Sequence, residues 1–417
     1  MKKSDLAITM AANAREQHIR RQNPFFFVAA IFALLLTITM ASAQAQQHFV
    51  ALHQFNTDTD GANPEGALLR DAAGNLFGTT VAGGTGEGTV FKIDTTGKET
   101  VLFEFDSFTT GASPSTPLIQ DQAGNLYGIA DGGPGAGVIF KISPDGQEST
   151  LFNFQGGLDN LDPRVPTGGL FMDKSGNLLG TTLFGGNANC QSGCGTIFRL
   201  DTAGNLDVLY EFTGGSDGSQ PFGPLVPDSN GNLYGVAKSG GDQACPELPQ
   251  AGCGTVFRLA TNGKLRVLHT FHGGTDGATP RPGLLLDTVA GKLYGATAVG
   301  GTHENGTVFK ISSNGAYTVL HRFTGKDGSI PNGGLVLDTA GNLFGTAQLG
   351  GSDTHGTVFA LNPSGQSKVL HNFLGGNDGA IPFAGLIRDE TGHLFGTTVR
   401  NFKVQKVQGG NVFEMRP

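Results

Sequence analysis

The sequence predicts an all-β fold: a seven-bladed β-propeller with four antiparallel strands per blade. Three observations predict it. Gly makes up 67 of 417 residues, Phe 30, and Trp is absent, while beyond residue 47 short apolar runs punctuated by Gly replace any long helix-period stretch. Four sequence signatures each recur seven times, about 50 to 60 residues apart, which is the period of a four-stranded blade. The fourth signature reaches seven only if the first strand of the chain, "HFVALHQF" at 48–55, belongs to the last blade.

Ahead of that strand lies a leader. Lys2, Lys3, Arg15, Arg20 and Arg21 precede the uncharged run "PFFFVAAIFALLLTITMA", and "ASAQAQQ" follows with small residues spaced A-x-A. This is the pattern of a basic region, an apolar region and a cleavage site, so residues 1–45 are predicted to be a signal peptide. An uncleaved membrane anchor is the alternative, at the short limit for a span. Arg20-Arg21 hints at twin-arginine export, but Asn23 and Pro24 stand where that signal wants apolar residues, so the general secretory route is expected. Cleavage removes a net +3 and takes the formal charge from −8 to −11. An acidic chain without basic patches disfavours nucleic acid and anionic membrane surfaces as partners.

The four strands of a blade are named a to d, from the axis to the rim. Strand a is an apolar segment ending in Asp, at 66–71, 116–121, 168–173, 223–228, 283–287, 333–338 and 384–389. Strand b carries G-N-L-aromatic-G or a close variant, as in "GNLFG" 74–78 and "GNLYG" 124–128, and again at 176–180, 231–235, 291–295, 341–345 and 392–396. Strand c carries G-T-V-F, at 88–91, 137–140, 195–198, 254–257, 306–309, 356–359 and 410–413. Strand d carries V-L-x-x-F, six times between 101 and 373, with "VALHQF" 50–55 as the seventh copy. The single propeller, 46–417, then holds repeats 66–105, 116–154, 168–212, 223–271, 283–323, 333–373 and 384–415 plus 48–55. Strands apolar nearly throughout fit blades packed on both faces. A ring needs locking, and pairing strands from opposite ends of the chain in one blade locks it.

The a–b turns (D-x-x-G-N) and c–d turns are tight, with Gly supplying φ > 0 and Asp bonding local amides. The b–c and d–a loops are longer and more variable, and lie together on the other face, which is the better candidate for binding.

The combined unit G-N-L-Y-G-T-T…G-G…G-T-V-F-K-L…V-L-x-x-F-x-G…D-G-x-x-P…G-L resembles the bacterial tandem repeat called GloVer, over about residues 48 to 417. GloVer repeats occur in exported proteins with varied surface anchors. The resemblance implies fold class and export, and no chemistry.

Cysteines come as two local pairs in b–c loops, "CQSGC" 190–194 and "CPELPQAGC" 245–253. Even, closely spaced cysteines in an exported chain read as disulfides, Cys190–Cys194 and Cys245–Cys253. A metal site is the alternative, but it lacks C-x-x-C spacing.

The d–a loops carry Asp before Gly: Asp60, Asp217, Asp276, Asp327 and Asp378. Each is expected to bond its own turn amides. One copy differs. Asn56, Asp58 and Asp60 alternate before Gly61, like the start of an oxygen-ligand Ca²⁺ loop, although Ala67 stands where an EF-hand wants Glu. They are the metal candidates, and Ca²⁺ is the one cofactor considered. His53, His269, His321 and His371 recur in V-L-H-x-F, a slot that Phe103, Phe152 and Tyr210 fill elsewhere. On the outer strand they are expected to be packed rim residues.

The sequence holds no G-x-S-x-G, H-E-x-x-H or P-loop motif. His303, Glu304 and His355 lie in b–c loops of blades 5 and 6 where the repeat does not demand them, so they are the ligand-binding candidates. The sequence thus points to an exported, monomeric, non-catalytic propeller that binds or scaffolds a protein or extracellular polymer. With Trp absent and five Tyr, sugar-stacking platforms would be poor. The alternative is a propeller lyase or hydrolase with a site at the axial mouth.

Overall fold

The structure, a computed structural model, describes residues 48–56, 60–84, 86–132, 135–155, 162–248, 250–312, 315–400 and 409–416. The predicted signal peptide and Asp58 lie outside the described residues.

The described strands form seven antiparallel sheets. In blade 1 the order a to d is Leu69–Arg70, Leu76–Thr80, Thr89–Ile93 and Glu99–Glu104. Blade 7 keeps that order with strands from both ends of the chain. Ile387–Arg388, Leu394–Thr398 and Asn411–Arg416 are followed by His48–Gln54 as the outermost strand. His48 faces Arg416 and Gln54 faces Asn411 across that pairing. The N-terminal strand therefore closes the ring. The only helical element among the described residues is one 3₁₀ turn, Gly274–Asp276.

Burial follows the radial order. Strands b and c are almost wholly buried, whereas strand d is half-exposed, as in Glu99–Glu104. Strand a is shorter than the apolar run suggests and pairs over two or three residues.

Two interlocks repeat at every blade junction. The first is aromatic. The strand-d Phe of one blade meets the strand-c Phe of the next edge to face: Phe55–Phe91, Phe105–Phe140, Phe154–Phe198, Phe212–Phe257, Phe271–Phe309, Phe323–Phe359 and Phe373–Phe413. Ring centroids are 4.9 to 5.5 Å apart at interplanar angles of 62 to 69°. All fourteen side chains are fully buried. Such geometry adds about 0.5–1.5 kcal/mol per pair to the area effect. The second glycine of G-N-L-x-G makes room: a Cβ at Gly78 would lie 2.5 Å from Phe91 Cζ.

The second interlock corrects the reading of D-G-x-x-P as plain loop. Its last residues turn in and pair with the far half of strand b. In blades 3 to 6 they form short strands, Arg164–Pro166, Ser219–Pro221, Ala278–Pro280 and Ser329–Pro331. In blades 1, 2 and 7 they form single bridges, Ala62 to Ala82, Ala112 to Asp131 and Ala380 to Arg400. The residue before the proline is Asn63, Ser113, Val165, Gln220, Thr279, Ile330 or Ile381, and it always has φ between 49 and 56°. For a β-branched side chain that costs on the order of 1–3 kcal/mol. The compensation is visible: its N–H donates to the residue before strand c of the preceding blade, as in Thr279 to Cys253 O (3.0 Å) and Asn63 to Gly409 O (2.5 Å). The proline then covers the strand-c glycine of that blade, where a Cβ would lie 2.6 Å from Pro280 Cδ at Gly254 and 2.9 Å from Pro64 Cδ at Gly410. Blade 7 thus joins blade 1 by the same contacts that join the others.

Candidate functional site

The residue after each of these prolines begins the inner end of its blade. In order these are Glu65, Ser115, Thr167, Phe222, Arg281, Asn332 and Phe383. All seven line one cavity of about 270 Å³, walled also by prolines and glycines such as Pro117, Pro224, Pro282 and Gly334. A cavity lined at the same register by every blade lies on the ring axis. The backbone that positions these residues is uniform, and the side chains are all but one of different kinds, Phe alone occurring twice.

Arg281 is the most constrained of them. Its Nη2 donates to Asn332 Oδ1 at 3.0 Å, and that oxygen also accepts from Gln348 Nε2 at 2.8 Å. Asn332 Nδ2 donates to Pro382 O at 2.6 Å. The guanidinium lies 5.9 Å from the centre of the Phe383 ring. Burial pulls the Arg281 pKa down. Across the ring, burial raises the Glu65 carboxyl, and Asp131 adds to the rise while Arg400 opposes it. Among the described residues no ion pair joins Arg281 to any carboxylate.

The residues singled out from sequence lie elsewhere. His303 meets its neighbour Thr302 (Nδ1 to Oγ1, 2.9 Å), and Glu304 accepts from Gly300 N at 3.2 Å, both on an exposed loop. His355 O accepts from Ile381 N at 2.9 Å, so this residue belongs to a blade joint. The three do not form a cluster of metal-ligating groups among the described residues.

The d–a aspartates cap their turns. Asp60 Oδ1 accepts from Asn56 N at 2.6 Å, and Asp276 and Asp378 each accept a turn N–H at 2.9 Å. Each also meets the polar residue of its own strand d: His53–Asp60 at 2.9 Å, Tyr210–Asp217 at 3.0 Å, His269–Asp276 at 3.1 Å, His321–Asp327 at 2.6 Å and His371–Asp378 at 3.1 Å. Where the slot holds Phe103 or Phe152, the sequence lacks the D-G pair. At the seam of blades 7 and 1, Glu99 joins His53 and Asp60, with ligating atoms within 4.8 Å of one another. Burial raises the Glu99 carboxyl; His53 opposes this and Asp60 adds to it.

Both disulfides form as read, Cys190–Cys194 and Cys245–Cys253, and no cysteine is free. They fit an oxidising, extracytoplasmic compartment. No helix among the described residues is long and apolar enough to cross a membrane.

A larger hollow, about 780 Å³, opens between blades 3 and 4 on the tight-turn face, beside Phe171, Leu179, Leu233 and Leu259. Its walls are turn residues and buried repeat-position leucines.

Comparison with solved structures finds other propeller-like chains. The extracellular domain of a proposed one-component system from B. thetaiotaomicron aligns at a TM-score of 0.55 and 11% identity, over 88% of this chain and 40% of that one. A candidate 6-phosphogluconolactonase from Bacteroides uniformis aligns at 0.50 and 16% identity, over 79% of this chain and 93% of that one. At these identities the likeness is one of fold. No curated protein matches the sequence. A family model matches residues 37–192, 135–247 and 247–417, so the chain belongs to the Gloeobacter/Verrucomicrobia repeat family.

Proposed function

We propose that this protein is an exported binding propeller whose ligand seat is the axial cavity. One observation carries the reading. Every junction repeats the same Phe pair and the same proline-on-glycine joint, yet the seven residues lining the axis are of six kinds: Glu65, Ser115, Thr167, Phe222, Arg281, Asn332 and Phe383. A structural plug would repeat with the blade; a ligand seat need not. Export is supported by the leader sequence and by two disulfides. Catalysis is the weaker reading, because among the described residues the titratable groups of the lining, Glu65 and Arg281, belong to blades 1 and 5 and share no hydrogen bond or ion pair.

A thermal-shift screen of the mature chain against peptides, polysaccharide fragments and small organic acids tests this. A ligand at 100 times its Kd adds about 2.7 kcal/mol of stability. Hits should be lost in Ser115→Phe and Thr167→Phe, which fill the cavity. Hits that survive in both variants place the seat elsewhere and sink the proposal. Including Ca²⁺ in the screen tests the cation idea for the Asn56–Asp60 loop, which a flat response would end.

A further inference from the structure

Arg281 is a cation without an anion. Its guanidinium stays protonated in any protein setting, and the side chain is half-buried, where an opposite charge beside it is favourable. Yet among the described residues its one side-chain acceptor is the neutral oxygen of Asn332, and its Nε is buried without any partner. Two residues of the same lining, Thr116 and Thr167, likewise carry a buried, unpaired Oγ1. Three side chains of this one small lining thus carry a buried polar atom without a partner among the described residues. Buried polar atoms in native proteins rarely stay unpaired, and Arg281 lines a cavity with space for an anion.

We infer that the axial cavity holds a small organic monocarboxylate, with its carboxylate on Arg281 and its apolar body against Phe222, Phe383, Pro224 and Pro282. This rests on the axial cavity being the ligand seat. A carboxylate is the planar anion that a guanidinium edge pairs with. One cation calls for one negative charge, and Glu65 on the same wall disfavours a dianion. Asn332, itself tied to Gln348, Thr346 and Pro382, holds the guanidinium in place before any ligand arrives, which lowers the ordering cost of binding. The volume of about 270 Å³ suits a molecule the size of an aromatic acid.

Calorimetric titration of the whole mature protein at neutral pH with benzoate, benzamide and inorganic phosphate tests this. Benzoate should bind about tenfold or more tighter than its neutral isostere benzamide, and phosphate should not displace it at equal concentration. Arg281→Gln, checked for an unchanged melting temperature, should lose the preference for benzoate. Equal binding of benzoate and benzamide overturns the carboxylate assignment but leaves the seat intact. Displacement by phosphate overturns it in favour of anions in general. No binding by either aromatic also overturns it, while the screen with the cavity-filling variants still judges the seat. If Arg281→Gln fails to fold, the comparison of benzoate with benzamide on the unaltered protein decides.

Discussion

The blade junctions and the axial ring are built from the same seven repeats, and they differ in what varies. At the junctions each Phe pair and each proline-on-glycine contact is reproduced, even across the seam where residue 55 meets residue 91 and Pro64 covers Gly410. At the axis one register, the residue after the proline, changes from blade to blade. Repetition marks where every unit has the same packing problem. Variation beside it marks positions the fold does not dictate. Substitutions at the junctions should therefore cost stability, and substitutions at the axis should cost binding.

The largest effect that could break this comparison comes from the seam. Deleting 48–54 removes the outer strand of blade 7 and bares the edge of Asn411–Arg416. The deleted protein should lose its cooperative melt and elute as aggregates in size-exclusion chromatography; a melt and elution like the intact protein's would contradict ring closure. Next in size, Phe271→Ala empties a fully buried junction site against Phe309. It should cost about 3–5 kcal/mol in denaturant unfolding.

A subtler test uses the rim, where the repeat covaries with itself. His371→Phe leaves Asp378 without its ring partner and should cost about 1 kcal/mol. Adding Asp378→Thr should recover part of that loss, because Phe103 already sits without such an Asp. The same carboxylates set an acid limit. Burial works to raise Asp327 and Asp378, but bonds from His321, His371 and turn amides outweigh it and hold both below their ordinary value. A carboxyl depressed in the folded state stabilises it above about pH 4 and loses that contribution as pH falls through the folded pKa. Melting temperature should therefore fall between about pH 4 and pH 2, and fall less when Asp327→Asn and Asp378→Asn are combined. The smallest stability effect should come from the axis: Arg281→Met should be neutral or slightly stabilising, by up to about 1 kcal/mol, as expected where a residue serves binding.

Much of the fold was legible because period, strand order and the displaced first strand are properties of spacing. The joint before each proline was not. Val165, Thr279, Ile330 and Ile381 adopt φ near 55°, which β-branched residues disfavour, so the local sequence argued against the very turn that tertiary contacts impose. The His–Asp pairs are half visible: both signatures stand out in the sequence, but only the structure shows that they meet, and so why both are missing around Phe103 and Phe152. The axial residues carry no motif signal, because Glu65 and Arg281 belong to none of the four signatures. The signal that would have found them is variability at a fixed offset from a repeated proline, readable within this one chain. His303, Glu304 and His355 show the same irregularity, but His303 meets the Thr302 hydroxyl, Glu304 the Gly300 N–H, and the His355 carbonyl belongs to a blade joint.

The most direct measurement is chemical-shift mapping of the labelled mature protein with the strongest hit of the thermal-shift screen. Perturbations centred on Glu65, Ser115, Thr167, Phe222, Arg281, Asn332 and Phe383 are the predicted result. Perturbations centred on the hollow beside Phe171 and Leu233, or on the rim, with the axial residues unmoved, would contradict it.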